Sequence, residues 1–242
     1  MRYGIFADIH ANLEALNAVT LAYKKESIDK YLNVGDIVGY AVNANECTQQ
    51  VSALVMANVA GNHDLASLGS SSINGFNPYA KIALYWTREN LDKKSRVFLG
   101  AARLIFQNVD LTLVHGTLDH PENFNYLTDR YISGSTFKFL KTKVCFIGHT
   151  HIPAIFIKDK DGHISYRGDN FIKIEEDKSY IINVGSVGQP RDGNPQATYC
   201  VYDNAKNQIQ IKRVSYDITT TQKKIVRAGL PIWLATRLAS GR

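Results

Sequence analysis

Val59-Ala60-Gly61-Asn62-His63-Asp64 is the stretch on which the reading turns. An apolar run stops at a glycine and gives way to an amide, an imidazole and a carboxylate. An amide oxygen can bind a metal, an imidazole can bind a metal or move a proton, and a carboxylate can orient an imidazole. Alone, such a tetrad is an ordinary strand end. Other apolar runs answer it: Tyr3–Ala7 stops at Asp8 and His10, Tyr31–Val34 at Gly35-Asp36, Leu111–Val114 at His115, and Val144–Ile147 at Gly148-His149-Thr150-His151.

Working outward, the first of these runs is followed by Asn12, which can cap a helix. In that helix Leu13, Leu16, Val19 and Tyr23 recur at helical spacing. A strand, a helix and a strand in one sheet form a right-handed parallel unit. A third strand at Ala57–Ala60 then makes three strands that deliver polar residues at their C-terminal ends, the edge where open α/β sheets bind ligands. Ser67–Asn77 reads as a flexible loop bordering that edge, and Asn77-Pro78 as the start of a helix running to about Leu91. A weaker helical piece ends near Leu99. From Leu104 onward the texture is mostly β. Hairpins are expected at Ile155–Lys158 with His163–Arg167 and at Tyr199–Tyr202 with Ile209–Val214. A helix is expected over Thr219–Ala228, and Pro231 opens a last short one carrying Trp233. Both halves of the chain contain strands that end in ligand-type residues, and the pattern predicts an α/β (α+β) fold in which two sheets pack together and share one site. No linker or repeat interrupts it, so residues 1–242 are read as one domain.

The composition excludes several classes. With 45% hydrophobic and 21% charged residues among 242, the chain can bury a sizeable core. No apolar run approaches the roughly 18 residues of a membrane helix, and the N-terminal run is too short for a signal core. Cys47, Cys145 and Cys200 are odd in number and form no Cys-x-x-Cys pair, which points to free thiols in a cytoplasmic protein. The net charge of +6 is concentrated from Asn204 to Arg242, where eight Lys or Arg accompany one acid, Asp217. No aromatic-basic interleaving goes with it, so stable nucleic-acid binding is not expected.

Five of the seven histidines, His10, His63, His115, His149 and His151, stand at the ends of apolar runs, where buried imidazoles need partners. Asp8 and His10 are close enough to reach one cation, Asp36 could bridge two, and Asn62 adds an amide oxygen. Two divalent ions about 3.5–4 Å apart can clamp a phosphoryl group and generate a nucleophile at neutral pH. Oxygen and imidazole donors without thiolate suit Mn, Fe or Zn better than calcium or a structural zinc.

Asp8-Ile9-His10, Gly35-Asp36-Ile37-Val38-Gly39, Gly61-Asn62-His63-Asp64, Val114-His115-Gly116 and Gly148-His149-Thr150-His151 together resemble the five motifs of the calcineurin-like metallophosphoesterases, in that family's order. Gly185–Gly193 is similar to a loop of its small prokaryotic branch, which holds phosphodiesterases, protein phosphatases and diadenosine-tetraphosphate-cleaving enzymes. The resemblance implies a four-layer α-β-β-α sandwich of two mixed sheets flanked by helices, with a dimetal site at strand ends. It implies Asp8, His10, Asp36 and His151 on one metal and Asp36, Asn62, His115 and His149 on the other. The cofactors would be two divalent ions, Mn first, with Fe, Zn, Ni or Mg as alternatives. A hydroxide bridging them would attack phosphorus in line. His63 would contact the phosphate and protonate the leaving oxygen, with Asp64 holding its tautomer. The chain departs from the family pattern at Ala11, where glycine is frequent, and in Tyr40-Ala41-Val42-Asn43-Ala44, which has less Gly and Pro.

Two further residues are candidates for substrate binding. Arg191 offers a guanidinium that pairs with phosphate in bidentate fashion, or else pairs with Asp192. Asn12 lies at a helix N-terminus, a natural anion site, or is only the cap. The expected function is hydrolysis of a phosphate mono- or diester, the partner being a small phosphate ester or a nucleotide. A serine/threonine protein phosphatase and a metal-binding scaffold with little activity are the alternatives. A homo-oligomer is compatible with the apolar terminal helix around Trp233.

Overall fold

Period-two alternation with both faces apolar is what makes the central strands. In β1 (Arg2–Phe6) Tyr3 and Ile5 face one way and Phe6 the other, and all three are buried. In β6 (Val144–Ile147) Val144 and Phe146 oppose Cys145 and Ile147 in the same manner. The computed structural model describes all residues, Met1–Arg242.

Two six-stranded mixed sheets result. The first sheet sets β2 (Lys30–Asn33) and β3 (Ala57–Asn58) parallel to β1 on one side, and antiparallel β11 (Ala197–Asp203), β12 (Gln208–Val214) and β9 (Phe171–Lys173) on the other. In the second, β5 (Thr112–Val114), β6 and β10 (Ser179–Asn183) are parallel. β4 (Ile105–Gln107) joins one edge, and β7 (Ala154–Lys158) with β8 (Ile164–Arg167) the other. The two packed sheets are as expected, and the C-terminal half contributes strands to both. β9, β11 and β12 return to the N-terminal sheet, and β1 pairs with β11, Ile5 opposite Cys200.

The inner faces of the sheets enclose one apolar cluster, with Tyr3, Ile5 and Leu32 against Phe146, Tyr180 and Ile182. Each such side chain contributes about 1.5–3 kcal/mol by leaving water. A second cluster lies outside the first sheet. It packs α1 (Leu13–Tyr23), α2 (Ala44–Leu54), α4 (Pro78–Asn90), α5 (Lys93–Gly100), α7 (Ile218–Arg227) and α8 (Ile232–Thr236) on Phe6, Tyr199 and Val201. On the outer face of the second sheet, α6 (Arg130–Phe139) contributes Phe137. The layers are thus helices, sheet, sheet, helix, with far more helix on one side than the other.

The caps follow the sequence. Asn77 accepts from Ala80 N ahead of Pro78, and Asp92 accepts from Ser95 N. The short α3 (Asn62–Leu68) was not anticipated and begins within the quoted stretch itself. The bond from Gly61 N to the Asp64 carboxylate at its start and left-handed Gly69 at its end bound a helix of seven residues, too short to leave a periodic signal. No helix is long and apolar enough to cross a membrane.

Candidate metal centre

The parallel strands β1, β2, β3, β5 and β6 deliver their following residues to a common point. Asp8, His10 and His151 offer ligand atoms that all lie within 4.8 Å of one another, and so do Asp36, His115 and His149. His10, Asp36 and His63 form a third such group, which joins the first two. All six of these Asp and His residues, and His63 with them, are buried.

The backbone there is held in an uncommon conformation. Asp8 (φ 55°), His10 (φ 50°), Asp36 (φ 55°), His149 (φ 69°) and His151 (φ 61°) all take positive φ. For a residue with a Cβ this costs about 1–2 kcal/mol. The surroundings hold it by crossed hydrogen bonds between the strand tips. Asp8 N donates to Gly35 O at 3.0 Å, His10 N to Asp36 O at 3.0 Å, and Gly188 N to Asp8 O at 2.9 Å. His149 N donates to Asp8 Oδ2 at 3.0 Å, and His63 N to Asp36 Oδ1 at 2.8 Å. Each aspartate thus spends one oxygen on the scaffold and turns the other inward. Strain of this kind gathers where a site must be preorganised.

Tautomers are set in the same way. His10 Nδ1 faces Val38 O at 3.1 Å, His115 Nδ1 faces Val34 O at 2.7 Å, and His151 Nδ1 faces Gln189 O at 2.6 Å. A carbonyl only accepts, so each Nδ1 carries a hydrogen and each Nε2 is the nitrogen left to face the cluster, with a lone pair whenever the ring is neutral. Nε2 of His10 and of His151 then stand 3.0 Å apart with no hydrogen between them. Asp8 Oδ1, Asp36 Oδ2, Asn62 Oδ1, His115 Nε2 and His149 Nε2 are likewise buried without a hydrogen-bond partner. Converging donors of oxygen and imidazole type, without thiolate, fit divalent cations.

Electrostatics agree. Burial opposes charge on Asp36, but His115 and His63 outweigh it and hold the carboxyl well below its usual range. Burial also opposes a proton on His115, yet Asp36, 3.3 Å from its Nε2, and Asp8 raise it to about 9. Burial keeps His10 and His149 well below their ordinary range, neutral and ready to ligate.

Beside the cluster lies a cleft of about 520 Å³ whose lining includes Asn62, His63, Phe76, Phe124, Tyr126 and His149. His63 sits in the first turn of α3 with Nδ1 unpartnered. Its ring lies 4.5 Å from Tyr40 and 4.9 Å from Phe76, and burial lowers it to about 4. Phe76 belongs to the loop expected to border the site.

One expectation is corrected. Asp64 does not orient His63. Its carboxylate accepts from the backbone N–H of Asp36 (2.9 Å), Ile37 (2.9 Å), Val38 (3.2 Å) and Gly61 (3.1 Å). It is therefore the peg that pins the Asp36 turn to the start of α3. Of the two readings given for Asn12, the geometry supports the cap, and both ends of its amide are engaged within the chain. Its Oδ1 caps Ala15 N at 3.1 Å and its Nδ2 donates to Gly188 O at 2.9 Å. Arg191 is free of Asp192, which pairs with Arg213, and its Nη2 reaches Tyr40 Oη at 3.3 Å and Gln189 Oε1 at 2.9 Å.

Several positioning residues were not singled out by the sequence reading. Asn33 Oδ1 accepts from Gly35 N and Asn183 Oδ1 from Gly185 N, each at 2.9 Å, so the two sheets end their strands by the same turn. Asn183 also donates to Gly148 O at 2.7 Å, and Ser186 to Asp8 O at 2.8 Å. The repeated tripeptide Asn33-Val34-Gly35 and Asn183-Val184-Gly185 was the available signal.

Residues 1–207 match the calcineurin-like phosphoesterase superfamily domain, and the chain belongs to that superfamily. It is 41% identical over 242 residues to an uncharacterized protein of Methanocaldococcus jannaschii, covering 98% of this chain and 97% of that one. A crystal structure of a metallophosphoesterase from Sphaerobacter thermophilus superposes with a TM-score of 0.88 at 36% identity, covering 100% and 99% of the two chains. A hypothetical protein of Pyrococcus horikoshii, at 18% identity, shares the fold with a TM-score of 0.79 over 100% of this chain and 98% of its own.

Proposed function

We propose that the protein is a metal-dependent phosphoesterase that hydrolyses a phosphate mono- or diester, a small molecule or a nucleotide. Asp8, His10, Asp36 and His151 would hold one divalent ion, and Asp36, Asn62, His115 and His149 the other. Two such ions, when bound, neutralise phosphate charge and supply a nucleophile at neutral pH. The carrying observation is the set of buried oxygen and imidazole donors that converge on two overlapping points.

The chain's own residues do the rest. Val34, Val38 and Gln189 carbonyls fix three imidazoles in the ligating tautomer. His63 faces the cleft and donates toward the leaving oxygen. In the free protein its ring is neutral, so it either donates as a neutral ring N–H or takes up a proton when the anionic ester enters. Phe76, Phe124 and Tyr126 narrow the cleft and limit water around the scissile ester. Mn is the ion to try first.

The test is hydrolysis of p-nitrophenyl phosphate, bis-p-nitrophenyl phosphate and diadenosine tetraphosphate by metal-stripped protein with and without added Mn. Turnover is expected on at least one substrate, only with metal, and falling to background in Asp36→Asn. Turnover that survives both metal removal and Asp36→Asn would refute the proposal.

A further inference from the structure

Arg237 opens the 3-10 turn Arg237–Ser240, beyond the residues that match the family. Its guanidinium carbon lies 5.9 Å from the centre of the Tyr40 ring, and that of Arg191 lies 5.7 Å from the same centre. Tyr40 is buried, takes φ 61°, and sets its ring 4.7 Å from His10 and 4.5 Å from His63. One aromatic ring therefore separates two arginines from the metal-binding cluster.

Neither arginine is paired with an Asp or Glu side chain. Arg191 bonds to a phenol and an amide, and its buried Nε has no partner. Arg237 donates from Nε to the Arg242 carbonyl and stacks 4.2 Å over Trp233. Burial and the neighbouring Arg191 charge push Arg237 down to about 10. Two like charges gathered on one ring repel, and an anion between them turns that repulsion into paired, charge-assisted hydrogen bonds. A fork of this shape suits phosphate better than a lysine would.

We infer that Arg191 and Arg237, gathered on Tyr40, form an anion subsite for a second phosphate of the same substrate molecule. The substrate is then an ester carrying more than one phosphate, with one held at the metal cluster and the next across the Tyr40 ring. This rests on the phosphoesterase reading above.

The experiment is titration calorimetry of the metal-loaded protein, with free Mn in excess, against inorganic phosphate and against methylenediphosphonate, which is not hydrolysed. Wild type is expected to bind the bisphosphonate at least about 10-fold more tightly than phosphate, a gain typical of an added charge-assisted pair. Arg237→Gln should lose about 10-fold for the bisphosphonate and clearly less for phosphate. Arg237→Lys, which keeps the charge but not the fork, should fall between, and it carries the test should Arg237→Gln fail to fold. Equal affinities in wild type and variants, or an equal loss for both ligands, would overturn the inference. Binding is read without turnover, so a wild type that hydrolyses nothing yet shows the selective loss sinks the enzyme and not the subsite. Turnover without selective loss does the reverse.

Discussion

Asp64 shows what a single residue does in this site. Four backbone N–H groups converge on one buried carboxylate, and three of them belong to the turn that carries Asp36. Asp64→Asn keeps the shape but replaces one acceptor oxygen by a donor that faces N–H groups. The expected cost is about 2–4 kcal/mol of folding stability, since each stranded buried donor costs about 1–3 kcal/mol. Metal affinity should fall with it. Urea unfolding and metal titration of the variant check this. Unchanged stability with a loss confined to kcat would restore the role of orienting His63. His115 gives a second prediction. Its proton, raised to about 9 by Asp36 and Asp8 against burial, is present at pH 7 in the metal-free protein, while a ligating imidazole must be neutral. Metal binding at pH 7 should therefore release a proton, and affinity should rise as pH climbs toward 9. In linkage terms the raised value means that the His115–Asp36 pair stabilises the metal-free fold fully below the unfolded value of about 6.5, and loses that contribution as pH rises through about 9. Calorimetry in buffers of different ionisation enthalpy reads the release, and heats independent of buffer would contradict it.

Among the elements, those with local signals were readable in the sequence. β6 stands where its apolar run places it, and α4 starts at the Asn77-Pro78 signature. The clustering of polar strand tips was readable because polar residues that end apolar runs have few other reasons to recur. α3 was not, since seven residues carry no period, and the tetrad looked like loop. Nor was the fate of β9 and β11, because strand partners are set by pairing across the whole chain. The role of Asp64 and the choice between the two readings of Asn12 were also out of reach. Both depend on which backbone groups the tertiary fold leaves without partners. The junction of β3 and α3 is the tightest element of the site. A Cβ at Gly61 would stand 2.0 Å from Asp36 Oδ1 and 2.4 Å from Asp36 N. Gly61→Ala must displace Asp36, so the variant should fold with reduced stability and lose metal binding, as metal analysis after dialysis would show. Wild-type metal content in that variant would mean that Asp36 is not held as described.

On the scale of the whole molecule, the site exists because two sheets end on one edge. Asp8, His10, Asp36 and Asn62 follow strands of the first, while His115, His149 and His151 follow strands of the second. The C-terminal segment closes the arrangement. Thr221 donates to Asn12 Oδ1 at 3.0 Å, Lys224 donates to Asn43 at 3.0 Å, and Arg237 reaches Tyr40. The basic tail is thus partly spent on docking against α1 and partly turned toward the site. Trp233 stacks on Tyr79 at 5.0 Å while Leu234 and Leu238 enter the core, so the terminal helix packs on its own chain.

The central claim is that these donors from two sheets hold a pair of ions. The most direct measurement is the number of Mn ions bound per chain at saturation, for wild type and for Asp36→Asn, by calorimetry with metal analysis of the dialysed complex. The account predicts two in wild type, and at most one, weakly held, once the shared carboxylate is gone. One ion or none in the wild type, or two retained by Asp36→Asn, would contradict it.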